Sequence, residues 1–340
     1  MQNRETRQAY SAHSPHVTAI VCTRERPEQL EQCLGALSRQ TYPDYDVLVV
    51  DNAPSQAVQD ICRRWSVRWV PAPVAGLTQA RNVGARAAYG ELIAYIDDDA
   101  VAEAGWLQAV AESFLDPDVA AVSGRVRYMN AIGDTRRISD QEAAEDRARP
   151  PGSFNQETPN WFSLACFGGV GDGGNMAFRR ELIASSVAFD VRLGRGRVLE
   201  CGDEHVVFAS LIARGLRVIH NPAAIVRHPC PATPVLQKAR RLRDLRASIA
   251  YVMFLWAEFP AHRGDILRFL RRAMAKRIVP GSGPRPRATR LSRAGVFAAV
   301  LGGLLTYWRA RREWVVVAAH QHEQSGAALP GFAGPTSGSR

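Results

Sequence analysis

An apolar pentapeptide, Leu-Ile-Ala-Tyr-Ile, runs directly into three consecutive carboxylates, Asp97, Asp98 and Asp99. Adjacent carboxylates repel one another, and placing them where a buried strand emerges is costly unless a cation compensates. In an extended chain Asp97 and Asp99 point to the same face. Their hard oxygens, together with a partner's phosphates, suit Mg²⁺ or Mn²⁺; a solvated acidic turn is the plain alternative. Residues 76–84 open a helix whose N-terminus favours an anion. Arg81 within it is either a phosphate partner or an ordinary helix arginine. Asp203-Glu204-His205 starts another helix, where the macrodipole alone favours a carboxylate. The other role for a carboxylate there is general base, which requires it to sit near the reacting hydroxyl. His228 ends a strand-like run and is a candidate metal ligand or a structural histidine.

The apolar pattern supplies elements to position these groups. Residues 16–22 and 45–50 read as buried strands, followed by 67–70, 92–96 and 119–128. Helices are expected from Pro27, with Leu30, Cys33, Leu34 and Leu37 at helical spacing, and over 55–65, 77–89 and 104–114. Continuous apolar strands alternating with amphipathic helices predict an α/β fold with a mostly parallel sheet covered on both faces. Ligands of such sheets bind at the carboxyl ends of the strands. Thr23 to Glu25, Asp51 to Asn52 and Asp97 to Asp99 all fall there, on one edge. Residues 130–160 lose apolar periodicity and read as a long mobile segment. Residues 161–180 read as a Gly-rich turn region leading into a helix. A helix follows over 203–214, and strand-like runs over 216–220 and 223–227.

Composition bounds the class. The chain has 340 residues, 46% hydrophobic and 22% charged, with a net charge of +10. These values exclude global disorder and a small disulfide scaffold. The six cysteines are scattered, so zinc-ligand and C-x-x-C redox spacing are absent. Residues 1–15 hold no apolar segment of the signal-peptide kind, which predicts a cytoplasmic setting. From residue 237 onward there are 19 Lys/Arg against 5 Asp/Glu, leaving 24 against 28 before it. The basic third contains two apolar runs, 247–259 and 294–308, each shorter than the ~20 residues needed to span a bilayer. Arginines flank both. Two readings combine: helices packed on the rest of the fold, and interfacial helices on an anionic membrane surface, helped by roughly 1 kcal/mol per basic residue. No nucleic-acid reader motif is present, so a nucleic-acid partner is not expected.

Taken in order, four segments resemble the family 2 glycosyltransferases of GT-A fold. VTAIVCTRERPEQLEQCLGALSRQTYPDYDVLVVDNAPS resembles the family's first β-α-β unit. GLTQARNVGARAAYGELIAYIDDDAV resembles its helix and D-x-D strand, and GDGGNMAFRR its G-x-x-N-x-A-F-R-R loop. CGDEHVVFASLIARG followed by AAIVRH resembles its E-D helix and late histidine. The resemblance covers about residues 16–230 and implies a Rossmann-like GT-A domain over 15–232. A flexible N-terminus over 1–14 would precede it. A basic helical extension over 233–318 and a flexible tail over 319–340 would follow.

By the same resemblance Asp51 would contact the nucleotide base, with Thr23 and Glu25 lining that pocket. Arg81 would approach the diphosphate or the D-x-D carboxylates. Asp98 would reach the ribose or a metal-bound water. Asp99 would bind Mn²⁺ or Mg²⁺ directly, with Asp97 supporting and His228 completing the set. Asn175 and its neighbouring glycines would shape the donor-sugar and acceptor pocket, and Trp161, Phe162 and Phe167 would stack on acceptor sugar or pack in the core. The family's catalytic pair reads Glu-Asp; here it is Asp203-Glu204, so Glu204 stands in the base's position with one extra methylene. The implied reaction is metal-dependent, inverting transfer from a nucleotide-sugar, UDP-linked as first guess, to a glycan or lipid-linked acceptor. A non-catalytic nucleotide-sugar-binding protein is the alternative. A sugar-nucleotide pyrophosphorylase is disfavoured because Thr23-Arg24-Glu25-Arg26-Pro27 replaces the Gly-rich loop that resemblance to those enzymes would call for.

Overall fold

The structure, a computed structural model, describes residues 14–129, 151–229, 233–275 and 291–325. Its centre is a sheet of nine strands. In chain order the first elements are β1 (Val17–Thr23), α1 (Pro27–Leu37), β2 (Tyr45–Asp51), α2 (Gln56–Arg64), β3 (Arg68–Pro71), α3 (Leu77–Ala87), β4 (Leu92–Asp97), β5 (Val101–Ala102), α4 (Trp106–Ser113) and β6 (Val119–Met129). Then come β7 (Gly152–Phe154), α5 (Trp161–Cys166), β8 (Asn175–Arg179), α6 (Asp203–Ala213), β9 (Arg217–Pro229), α7 (Pro234–Glu258), α8 (Arg263–Ala275) and α9 (Arg293–Ser325). Strand order is β3-β2-β1-β4-β8-β6-β9-β5, with β7 also pairing β9. β1 is parallel to both β2 and β4, in a register that aligns Thr23 with Asp51 and Cys22 with Asp97. That register brings the polar strand ends to one edge.

The strand alternation separates two apolar layers. Val17, Ala19 and Val21 of β1 pack with Leu30 and Leu34 of α1 and with Trp106 of α4 on one face. Ile20 packs on the other face with Ala80, Phe178 and Phe208. Tyr251, Phe254 and Ile266 of the basic extension belong to this second layer, so α7 and α8 cover the sheet as its own helices do. α9 lies along α7 through small residues: a Cβ at Gly303 would fall 2.6 Å from the Arg246 carbonyl oxygen and 2.7 Å from Ile249.

The structure departs from the sequence reading in four places. Residues 161–180 hold a helix, then a glycine turn, then β8, which runs antiparallel between β4 and β6. Within 130–160, residues 151–160 include β7, paired antiparallel with β9; residues 130–150 lie outside the described residues. The two runs at 216–220 and 223–227 fall in one strand, β9, whose register against β6 shifts between Gly124 and Arg125. α9 continues to Ser325, past the expected tail boundary. Residues 1–13 and 326–340 also lie outside the described residues. Phe162 stacks on His262 with 4.0 Å between ring centroids and Phe167 on Phe269 with 3.8 Å. Both aromatics are thereby engaged with α8 and the turn before it.

Candidate active site

β4 delivers Asp97 at its last residue, and Asp98 and Asp99 follow in the turn. β9 brings His228 to them from the far side of β8 and β6. One ligand atom each from Asp97, Asp99 and His228 lies within 4.8 Å of the others. His228 Nε2 is 3.1 Å from Asp99 Oδ1 and 3.6 Å from Asp97 Oδ2. The Nδ1 of His228 donates to the Pro229 carbonyl at 2.9 Å, which orients the ring and turns Nε2 toward the carboxylates. Burial works to lower the pKa of His228, but Asp97 and Asp99 outweigh it and raise the imidazole to about 10. Reciprocally, burial would raise Asp97 and Asp99, yet contact with His228 holds both below the ordinary carboxylate range.

Asp98 faces away from this cluster. Its carboxylate accepts from Thr23 Oγ1 at 2.8 Å and from Arg26 at 3.1 Å. Burial raises its pKa, against the pull of Arg26 and Thr23. Arg26 also reaches Asp99 Oδ2 at 3.1 Å, so one guanidinium links the last two carboxylates.

The second half of the site starts at α6. Arg81 of α3 is buried, donates to Asp203, and donates to the Gly173 carbonyl at 2.8 Å. Burial alone would lower the Arg81 pKa; Asp203 and Asp97 raise it above that of an ordinary arginine. Glu204 lies beside this pair. Burial, then the neighbouring charge of Asp203, push its carboxyl up to about 8. The turn before β8 separates the two halves. A Cβ at Gly173 would sit 3.0 Å from Arg81 and 3.2 Å from the Glu204 carboxyl carbon, while one at Gly174 would sit 2.7 Å from Asp97 Oδ2. Two successive glycines thus let the backbone pass between the Glu204 carboxyl and the Asp97 cluster. Gly174→Ala is expected to displace Asp97 and weaken metal affinity about 10–100-fold, measured by Mn²⁺ titration, with the melting temperature nearly unchanged.

Arg81→Ala removes the cation from a buried pair and strands Asp203 next to Glu204. Breaking such a pair costs about 3–5 kcal/mol, so a clear fall in the denaturant midpoint is expected. The extension also touches this region. Gly202, in the left-handed region at φ 87°, faces the Tyr251 ring of α7, and any Cβ there would strike it at 2.2 Å.

The structure brings together Asp97, Asp99 and His228, sets Asp203 and Glu204 across the glycine turn from them, and places Arg81 between the two groups, 4.0 Å from Asp97 Oδ1. Three other expected site residues stand apart from these two groups. Asp51 is fully buried, and its oxygens accept from the Ala53 and Ser55 amides at 3.1 and 3.0 Å. It builds the turn after β2 and offers no exposed oxygen. Asn175 is 1% exposed. Its amide accepts from Trp106 at 2.8 Å and donates to the Arg125 and Ala224 carbonyls, each at 2.9 Å. Asn175 is a strut that pins the β6–β9 irregularity. Glu25 is exposed, with its backbone at φ 57°, where the chain turns from β1 into α1. Sequence reasoning missed Arg26 as the link between Asp98 and Asp99; a cation immediately before the helix-opening Pro27, on the same edge as three carboxylates, was the available signal. Asn52, placed by the sequence at the same strand-end edge, donates to the Ala72 and Val74 carbonyls and accepts from the Gly76 amide. That side chain ties the end of β2 to the start of α3.

The sequence profile of Glycosyl transferase family 2 matches residues 18–185, the stretch that carries β1 through β8 and all three aspartates. The chain belongs to glycosyltransferase family 2. Among curated relatives, glycosyltransferase AglE of Haloferax volcanii is 30% identical over 129 residues, 36% of this chain and 42% of its own length. Glucosyl-dolichyl phosphate glucuronosyltransferase of the same organism is 26% identical over 236 residues, 62% of this chain and 68% of its own. The chain thus spans less than half of the first relative and about two thirds of the second.

Solved structures agree on the fold of this family 2 chain. Mannosyltransferase PcManGT from Pyrobaculum calidifontis, in complex with GDP-Man and Mn²⁺, superposes with a TM-score of 0.53 at 20% identity, covering 97% of this chain and 84% of that one. S. aureus TarS 1-349 in complex with UDP-GlcNAc gives 0.54 at 14% identity, covering 87% and 81%. The architecture is of GT-A type, with C-terminal helices added to the sheet.

Proposed function

We propose that this chain is a metal-dependent, inverting glycosyltransferase that moves a sugar from a nucleotide-sugar donor to a hydroxyl of a glycan or lipid-linked acceptor. The observation that carries the reading is the glycine turn, with the Glu204 carboxyl against Gly173 and the Asp97 carboxylate against Gly174. The base and the cation-binding cluster thus lie against adjacent residues of one turn. Asp97, Asp99 and His228 fit a divalent ion: two hard carboxylates and one imidazole converge, and the imidazole is oriented by its own carbonyl partner. A Mn²⁺ or Mg²⁺ ion held there would neutralise charge on the departing nucleoside diphosphate.

The chain's own residues supply the rest. Glu204 takes the proton from the acceptor hydroxyl as that oxygen attacks the anomeric carbon. A single displacement then inverts the configuration. Arg81 holds Asp203 and the glycine turn in place, which fixes the start of α6 and hence Glu204. Asp98, held by Thr23 and Arg26, stands at the ribose side, and Thr23, Glu25 and the Asp51 turn border the base. A UDP-sugar is the first donor to test. PcManGT was solved with GDP-Man and TarS with UDP-GlcNAc, so both bases belong in the panel. The same reading sets the basic extension against an anionic membrane surface on its cytoplasmic side.

The test is nucleoside diphosphate release from a panel of UDP- and GDP-sugars with Mn²⁺, Mg²⁺ or chelator, with nucleotide binding measured in the same samples. Metal-dependent release supports the reading and names the donor. Metal-dependent binding without release from any donor–acceptor combination supports a binding-only protein. Absence of nucleotide binding in every metal condition overturns the assignment of the Asp97 cluster.

A further inference from the structure

The exposed side of α9 is ordered. Phe297 is 71% exposed, Leu301 48%, Leu305 57% and Trp308 51%. At about 100° per residue these four fall within about 80° of arc and extend about 16 Å along the axis. Ala299, Gly303, Tyr307 and Ala310 occupy the opposite, buried side, which packs on α7. The arginines are placed with equal order. Arg309 lies beyond one margin of the apolar stripe, Arg293 and Arg311 beyond the other, and Arg312 at its C-terminal end. None of Arg293, Arg309 or Arg312 forms an ion pair with a carboxylate among the described residues.

At the Trp308 end the stripe meets a cavity of about 360 Å³ between α7, α8 and α9. Trp256, Tyr307 and Trp308 line it, and Arg263 and Arg311 stand on its wall. The Arg263 guanidinium lies 5.2 Å from the Trp256 ring and donates to the Trp256 carbonyl, while Arg311 lies 5.6 Å from the Trp308 ring. The exposed Trp308 ring beside the Arg311 guanidinium is an interfacial pairing, in which the ring sits at headgroup level and the cation meets phosphate.

We infer that this face of α9 docks in the plane of an anionic phospholipid surface, with Phe297, Leu301, Leu305 and Trp308 entering the acyl boundary and the flanking arginines meeting lipid phosphates. No described helix is long and apolar enough to cross a bilayer, so the contact is interfacial. Charge complementarity selects the occupant: the third of the chain that contains the stripe has 19 Lys/Arg against 5 Asp/Glu. A second copy of this chain would set those same cations against one another. The inference deepens the membrane part of the proposed function and is independent of sugar transfer.

The test is co-sedimentation of the full chain with phosphatidylcholine vesicles, alone or with about 30% phosphatidylglycerol, at low and high salt. The wild type is expected to partition onto the anionic vesicles at least about tenfold more strongly than onto the neutral ones, and to lose most of that preference at high salt. Phe297→Ser combined with Leu305→Ser is expected to weaken partitioning about tenfold or more, with helical circular dichroism and melting temperature retained. Arg309→Gln combined with Arg312→Gln is expected to reduce the preference for anionic over neutral vesicles. Equal partitioning by wild type and both double variants overturns the assignment of the face. So does a failure of the wild type to bind anionic vesicles, or a concentration-dependent dimer that the apolar double variant dissociates. Donor and metal are absent from all of these assays, so a failed transfer reading leaves the result intact.

Discussion

Glu204→Gln is expected to lower kcat by about 10²–10⁴-fold, the usual contribution of a positioned general base, while making the folded protein more stable at neutral and higher pH. Both effects have one cause. Burial, reinforced by Asp203, lifts the Glu204 carboxyl from 4.5 to about 8. The folded chain therefore holds a proton between those values that the unfolded chain has released. Stability contributed by this group is full below pH 4.5, falls as pH rises, and is lost above about 8. Glutamine cannot ionise, so the variant escapes that loss. Its gain is near zero at pH 4, grows through neutrality and levels off above pH 8, at about 1–3 kcal/mol. Activity runs the other way. The base must be ionised to accept a proton, so kcat/KM for the acceptor should rise with pH toward a plateau above about 8. Glu204→Gln should remove that limb, whereas Glu204→Asp should keep one because a carboxylate remains. The measurements are pH–rate profiles of the three proteins and their melting temperatures at pH 5 and pH 8. A pH-independent wild-type profile, or a Gln variant with unchanged kcat, would reassign the base.

Much of this arrangement could be read from residue types alone, and what could not has a common cause. β1, β2 and β4 are continuous apolar runs, and only a strand covered on both faces requires such a run, so their existence and polar ends were legible. β8 was not. Asn175–Arg179 is short and follows glycines, and its strand character comes from pairing with β4 and β6 rather than from any local pattern. Asn175 illustrates the same limit within the site. A buried asparagine next to a glycine turn reads as a pocket residue, but its three partners arrive from α4, β6 and β9, elements that no local pattern links to it. Arg26 was hidden for the opposite reason: it is one more charge in a polar loop until the turn after β4 folds against it. Asp97 and Asp99 were visible because three carboxylates in a row are costly anywhere. The closure of His228 onto them rested on resemblance and not on spacing. The extension's apolar runs were visible too; that one side of α9 is satisfied by α7 while the other is left outside depends on how the two helices meet.

Alternation along an extended chain already sets Asp97 and Asp99 apart from Asp98, and the structure gives each its partners. Asp99→Asn and Asp97→Asn are each expected to weaken divalent-ion binding by about 10²–10³-fold, because each removes a hard anionic ligand worth several kcal/mol. Each loss is compounded by what it strands. Asp99 faces His228 at 3.1 Å and Arg26 at 3.1 Å, and Asp97 faces His228 at 3.6 Å and Arg81 at 4.0 Å, so neutralising either one leaves two cationic groups beside the proposed ion site. Asp98→Asn should behave differently. Its carboxylate is committed to Thr23 and Arg26, is buried, and already has its pKa raised. Losing that charge should loosen the turn after β4 and weaken nucleotide binding, yet leave the ion affinity within about tenfold of wild type. Mn²⁺ titration by calorimetry, with and without UDP or GDP, separates the two kinds of defect, since it reads ion binding apart from turnover. If Asp98→Asn abolishes ion binding as completely as Asp99→Asn, the ligand set is wrong and the cation lies on the Thr23 side of the turn. If Asp97→Asn and Asp99→Asn lose ion affinity and Asp98→Asn keeps it, the alternation of side chains beyond β4 has divided one acidic run into an ion site and a brace.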